Sequence, residues 1–167
     1  PSNVEENIEY IDGTPAEKAE KLAYFKARDV ADKCNDCVVL GADTIVVIGN
    51  EILGKPRDLD DAKHMLIKLS GKEHKVITGV ALIDTSKNAE VLSHEITSVK
   101  FRELTSRMID SYLATQEPIG KAGAYAIQGF GALLVEGING CYSNVVGLPL
   151  TRLSKMVGFL ESLKTQS

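Results

Sequence analysis

Val38-Val39-Leu40-Gly41-Ala42-Asp43-Thr44-Ile45-Val46-Val47-Ile48 decides how this chain is read. Apolar, β-branched residues flank Gly41–Thr44 on both sides, which is the pattern of a buried strand. Such a strand does not normally carry a carboxylate through its middle. Taking an unpaired carboxylate out of water costs several kcal/mol or forces it to hold a proton. Asp43 therefore needs a metal, a cation or a catalytic task. A little further on, Gly54-Lys55-Pro56 clamps a lysine between two backbone punctuators. Taken singly, Asp43 reads as the cap of a bend and Lys55 as a solvated lysine; as a pair they point to a shared functional site.

Working outward from this strand, the periodicity predicts a mixed α/β domain. Thr14-Pro15-Ala16-Glu17 has the residues of a helix start, with a cap, a proline at the first position and a glutamate three after the cap. Ala19, Leu22, Ala23 and Val30 follow at helical spacing. The first strand is expected over Cys37–Ile48, turning at Gly49-Asn50 into Glu51-Ile52-Leu53. Asp58 caps a second helix striped by Ala62, Met65, Leu66 and Leu69 and ended by Gly71. Strands over Lys75–Ile83 and Val91–Phe101 come next. Thr105 then opens a third helix with Met108, Ile109, Tyr112 and Leu113 on one side. A glycine-rich stretch leads to a short apolar run, Ala132–Val135. The last helix starts near Pro149 or Thr151, with Leu153, Met156, Val157, Leu160 and Leu163 on its apolar face.

The 167 residues fit one domain, 1–167, long enough to bury a core. A formal charge of −4 argues against a general nucleic-acid coat, while leaving room for a local basic pocket. No apolar run reaches the roughly 20 residues that span a bilayer, and no signal-peptide pattern is present, so a cytoplasmic location is expected. Three cysteines fit a reducing compartment better than a disulfide framework. Cys34 and Cys37 form a C-x-x-C with no second half at zinc-site spacing, which leaves redox or zinc chemistry as a minor reading. His64, His74 and His94 read as structural.

The second informative region is Lys121-Ala122-Gly123-Ala124-Tyr125-Ala126-Ile127-Gln128-Gly129. Glycines let backbone approach a ligand closely, and the Gln128 amide can read the edge of a base through its donor and acceptor ends. The pattern matches neither the dinucleotide-binding fingerprint nor the phosphate loop. A plain glycine-rich connection with one exposed amide is the alternative.

The ordered set Gly41-Ala42-Asp43-Thr44, Leu53-Gly54-Lys55-Pro56, Leu69-Ser70-Gly71, His74-Lys75-Val76, Thr78-Gly79-Val80, Lys121–Gly129 and Val146-Gly147-Leu148-Pro149 resembles the Maf family of nucleoside triphosphate pyrophosphatases. The resemblance covers essentially the whole chain. It implies a single mixed-sheet domain of α/β class, with flanking helices and a cleft for a nucleotide. The version around Ile127-Gln128-Gly129 resembles the branch acting on dTTP and UTP. By position, Asp43 matches the family's catalytic aspartate, and Lys55 and Lys26 match lysines that contact the triphosphate. Thr44 and Gln128 match positions that set substrate preference, and Glu6 matches an acidic residue near the metal or water. The resemblance also implies a divalent metal, Mg²⁺ or Mn²⁺, held by Asp43 and Glu6, a small-molecule nucleotide as partner and a homodimer.

Three departures from the family pattern bear on this expectation. Members open with a strand and a Ser-x-Ser-Pro-Arg-Arg segment that this sequence does not show, so the expectation is a longer gene product. The alternative is a shortened form that binds nucleotide, or regulates, with reduced or no turnover. Gly120 stands where the family usually has aspartate, and Ala126 where it usually has glycine. Ala126 would cost about 1 kcal/mol if its backbone needed positive φ, and nothing in a strand.

Overall fold

The computed structural model describes residues 11–162. In chain order they form α1 (Pro15–Ala31), β1 (Val38–Ile48), β2 (Glu51–Leu53), α2 (Leu59–Leu69), β3 (Glu73–Asp84), β4 (Ala89–Phe101), α3 (Ser106–Leu113), β5 (Val135–Asn139), α4 (Tyr142–Val146) and α5 (Leu150–Ser162). Short 3-10 turns at Ala122–Ala124 and Phe130–Leu134 separate α3 from β5. No described helix is long and apolar enough to cross a membrane.

Local chemistry accounts for the helix starts. The Thr14 hydroxyl accepts from the Glu17 amide at 3.3 Å while the Glu17 carboxylate accepts from the Thr14 amide at 2.7 Å, a closed capping box. Asp58 caps α2 by accepting from the Asp61 amide at 2.8 Å, and Thr105 caps α3 by accepting from Met108 at 3.3 Å.

The strands form one five-stranded sheet in the order β2-β1-β3-β4-β5. The β1–β2 hairpin is antiparallel, with Val46 opposite Leu53, and β4–β5 is antiparallel with an irregularity between Lys100 and Phe101. At the far end of β3 the Thr85 amide donates to the Cys37 carbonyl at 2.9 Å, so β3 ends where β1 begins. β4 returns from β3 through the short turn after Asp84. The α/β class stands. The parallel pair that would make the sheet mixed is not among the described residues, because each neighbour is reached by a reversal of the chain.

Residue contacts divide the chain into two compact units. The first takes the described residues up to Thr44, Ile77–Glu95 and those from Gly147 onward. Here the alternation of β3 sends Ala81 and Ile83 to a cluster with Ala23, Ala27 and Ala31 of α1. Val80 and Leu82 point to the other face, where Met156 and Leu160 of α5 cover them. That two-sided burial is why β3 reads as a continuous apolar run.

The second unit takes Ile45–Val76 and Ile96–Val146. Its core joins Leu66 and Leu69 of α2, Val99 and Phe101 of β4, Ile109, Tyr112 and Leu113 of α3, and Tyr125. The rings of His74, Phe101 and Tyr125 meet edge to face, with centroids 4.7–5.5 Å apart.

Several expectations are corrected. Val157 is 39 % exposed rather than on the buried stripe of α5, and Leu163 lies outside the described residues. The apolar run Ala132–Val135, for which the sequence predicts no element, is mostly a 3-10 turn, and the strand begins where it ends. α4 carries no periodic signal that a five-residue segment could show. The turn between α1 and β1 brings the Cys34 and Cys37 sulfurs together, while Cys141 stands apart from them.

Candidate active site

The first unit supplies an ion pair set into β1. Asp43 lies on the same face of the strand as Val39 and Gly41, and that face is covered by α1. A Cβ at Gly41 would come within 2.2 Å of the Ala23 carbonyl oxygen, and one at Gly79 within 2.2 Å of the Ala19 carbonyl group. Only glycine permits this approach, so α1 rests almost directly on the backbone of β1 and β3. The alanines at 19, 23 and 27 make up the helix side of the seam. One turn from Ala23, the Lys26 ammonium reaches Asp43 and bonds to its Oδ1. Asp43 is 8 % exposed and the Lys26 side chain 20 %, so the pair is only partly hydrated. The cation that a carboxylate inside an apolar strand requires is Lys26.

Thr44, next in the strand, points to the opposite face. Its hydroxyl lies 2.9 Å from that of Thr78 on β3. A Cβ at Gly147, where φ is +121°, would stand 3.7 Å from the Thr44 hydroxyl oxygen. Thr44 was named from the resemblance without Thr78, whose hydroxyl faces it across the strands. An apolar run carrying a threonine gives no cue to a cross-strand partner.

The second unit carries Lys55 and Gln128 on adjoining loops. Lys55 is exposed just beyond β2. The Gly123 amide donates to the Gly54 carbonyl at 3.0 Å, which stitches the glycine-rich segment to the loop of Lys55. Gly123 adopts φ +67° and sits on Val46, where a Cβ would fall 2.8 Å from a valine methyl. Ala124 also holds a positive φ, +60°, and is fully buried; Ala126 does not, so the strain considered for Ala126 falls two residues earlier. Gly120 has φ +78°, a conformation that suits glycine better than the aspartate usual in the family.

Gln128 is exposed in the turn that follows, and one carboxylate secures that turn. Glu117 Oε1 accepts from the Tyr112 hydroxyl at 2.9 Å and from the Gly131 amide at 2.9 Å, and Oε2 accepts from the Phe130 amide at 2.9 Å. The Tyr112 oxygen in turn accepts from the Ala126 amide at 3.1 Å. Burial works to raise the Glu117 pKa, but the Gly131 and Phe130 amides, the Tyr112 hydroxyl and the Lys121 charge together hold it below the ordinary value. Burial pushes the Tyr112 phenol above its usual range. In the sequence Tyr112 reads only as part of the apolar side of α3, and Glu117 carries no signal of a role. The available signal was the glycine run itself, whose amides need acceptors.

His74 is structural, as expected, and has a partner the sequence could not show. Its Nε2 lies 2.9 Å from the Tyr125 hydroxyl, and burial lowers its pKa to about 4. His94 pairs with Glu20 of α1 at 2.7 Å. Glu6 lies outside the described residues.

For a metal, the donor set is what matters. Among the described residues no group of three His, Cys, Asp or Glu side chains could cage an ion. Asp43 offers one hard carboxylate. That suits Mg²⁺ arriving on a polyphosphate, since Mg²⁺ takes one or two carboxylates and fills its shell with phosphate oxygens and waters.

The first unit thus presents a lysine–carboxylate pair set in a strand, and the second a stapled glycine-rich loop with an exposed amide. This chain belongs to the Maf family: the family model described as "Maf-like protein" matches residues 1–159. The chain is 60% identical over 157 residues to the dTTP/UTP pyrophosphatase of Ruminiclostridium cellulolyticum, a match covering 94% of this chain and 81% of the relative. It is 48% identical to the proteins of the same name from Aquifex aeolicus and Pyrococcus furiosus. Both matches cover 98% of this chain, with 84% and 85% of those relatives.

Proposed function

We propose that this chain hydrolyses nucleoside triphosphates to the monophosphate and pyrophosphate, with dTTP and UTP as the preferred substrates. It is an enzyme of the nucleoside triphosphate pyrophosphatase class. The observation that carries the reading is the Lys26–Asp43 pair, planted in an apolar strand of a chain so similar to proteins named for that reaction.

In this mechanism Asp43 accepts a proton from a water attacking the α-phosphorus. The new bond joins the water oxygen to that phosphorus, and the bond to the bridging oxygen breaks, releasing pyrophosphate. A divalent ion, Mg²⁺ or Mn²⁺, held by Asp43 and Glu6, would neutralise charge on the phosphate oxygens. Lys26 fixes the orientation of Asp43, and the charges of Lys26 and Lys55 would offset the negative charge that builds on the phosphates. Such fixed charges supply much of the acceleration in phosphoryl transfer. Thr44, oriented by Thr78, and Gln128, held by the Glu117 staple, discriminate the base.

Pyrophosphate release from dTTP, UTP and the purine triphosphates, measured with Mg²⁺ and with Mn²⁺, tests the reading. Release that is fastest with the pyrimidines and lost in Asp43→Asn supports it. Calorimetric binding of dTTP without any release would overturn it in favour of a nucleotide-binding module.

A further inference from the structure

The chain has five arginines, and three of them meet carboxylates: Arg28 with Glu90 and Asp32, Arg57 with Asp61, and Arg152 with Glu95. Arg102 and Arg107 have no carboxylate partner among the described residues, and both line one cavity of about 380 Å³ within the second unit. Its apolar walls include Met108, Tyr112, Phe130 and Leu133. Phe130 and Leu133 are 62 % and 65 % exposed, so two large apolar side chains stand uncovered beside two unneutralised guanidinium groups.

The walls are held in place. Arg102 donates to the Leu133 carbonyl at 3.2 Å, which sets its guanidinium at the rim. Glu117 grips the Tyr112 hydroxyl and the Phe130 amide, fixing the two ring-bearing residues from behind. A preorganised cavity of this kind binds without first having to order its own side chains.

We propose that this cavity binds a small organic anion: an aromatic or branched apolar body carrying a carboxylate or phosphate. A guanidinium offers either head group a planar fork of donors, and the body covers Phe130 and Leu133. The volume falls at the lower end of the roughly 300–1,000 Å³ of small-molecule pockets, enough for one ring system. This assignment does not depend on the pyrophosphatase reading.

Amide shifts of the ¹⁵N-labelled chain, titrated with 1-naphthoate, 1-naphthyl phosphate and the neutral 1-naphthamide, provide the test. Saturable shifts confined to residues 102–115 and 130–134 are expected for the two anions, and the tighter of them identifies the head group. Binding should weaken about tenfold for 1-naphthamide, for Arg107→Gln and for Phe130→Ala, the last two with an otherwise unchanged spectrum. Shifts centred elsewhere, equal binding of 1-naphthamide and 1-naphthoate, or unaltered affinity in Arg107→Gln would overturn the proposal.

Discussion

The hydroxyl of Tyr112 donates to Glu117 across 2.9 Å, and that one carboxylate also gathers the amides of Phe130 and Gly131. Its removal leaves three donors without their acceptor. Glu117→Ala is expected to cost about 1–3 kcal/mol in urea unfolding, the range for stranding partly buried polar groups. Because the staple supports the turn of Gln128, the same variant should raise KM for dTTP more than it lowers kcat. An unchanged KM would separate the staple from the substrate.

The charge on Glu117 also gives the stability an acid limit. Its pKa is lower in the folded chain than the ordinary 4.5, so the unfolded chain binds the proton more readily. The stabilisation is complete above about pH 4.5 and is lost as the pH falls through the folded value. Glu117→Gln should flatten this part of the stability profile below pH 4.5, while lowering stability at neutral pH.

His74 acts over a different window. Burial depresses its pKa from 6.5 to about 4, so between those values the unfolded state is charged and the folded ring is neutral. Stability should decline as the pH falls from 6.5 toward 4, with no further contribution from this group below that. Thermal unfolding of His74→Phe across pH 4–7 should show a shallower slope than the parent chain.

Gly41→Ala and Gly79→Ala should each destabilise by about 1–3 kcal/mol or more, since the added methyl meets backbone of α1 at 2.2 Å rather than a side chain that can turn away. Gly137→Ala, where a Cβ would meet nothing within 4 Å, is the control and should be close to neutral. Chemical denaturation measures all three.

Asp43→Asn and Lys26→Met should part company. The first keeps the shape and an oxygen that still accepts from Lys26, so turnover should fall by roughly 10²–10⁴ with a smaller loss of stability than in the second. The second takes the ammonium from a carboxylate that is 8 % exposed, and should lose activity together with about 1–3 kcal/mol of stability. Initial rates and melting curves on the same preparations distinguish the two.

Much of this fold was legible because its signals are local. The capping box at Thr14, the Asp58 and Thr105 caps and the Gly49-Asn50 hairpin each depend on residues a few positions apart. Asp43 stood out because a charge interrupts an apolar run. Lys26, 17 residues away on a helix, was named only through the resemblance, and its pairing with Asp43 left no local mark. Thr78, Tyr112 and the second end of the His74–Tyr125 bond were hidden for the same reason: long-range pairing leaves no mark on periodicity. β5 escaped because a bent, five-residue edge strand, most of it exposed, has no apolar alternation to show.

The glycine–alanine seam beneath α1 has a bearing on how such a protein can change over generations. Elsewhere in a core, a bulky replacement can be rescued by trimming its neighbour; here the neighbour is the peptide chain itself, which cannot be shortened. Compensating second-site changes are therefore scarce at Gly41 and Gly79, and drift at either position should be followed by reversion.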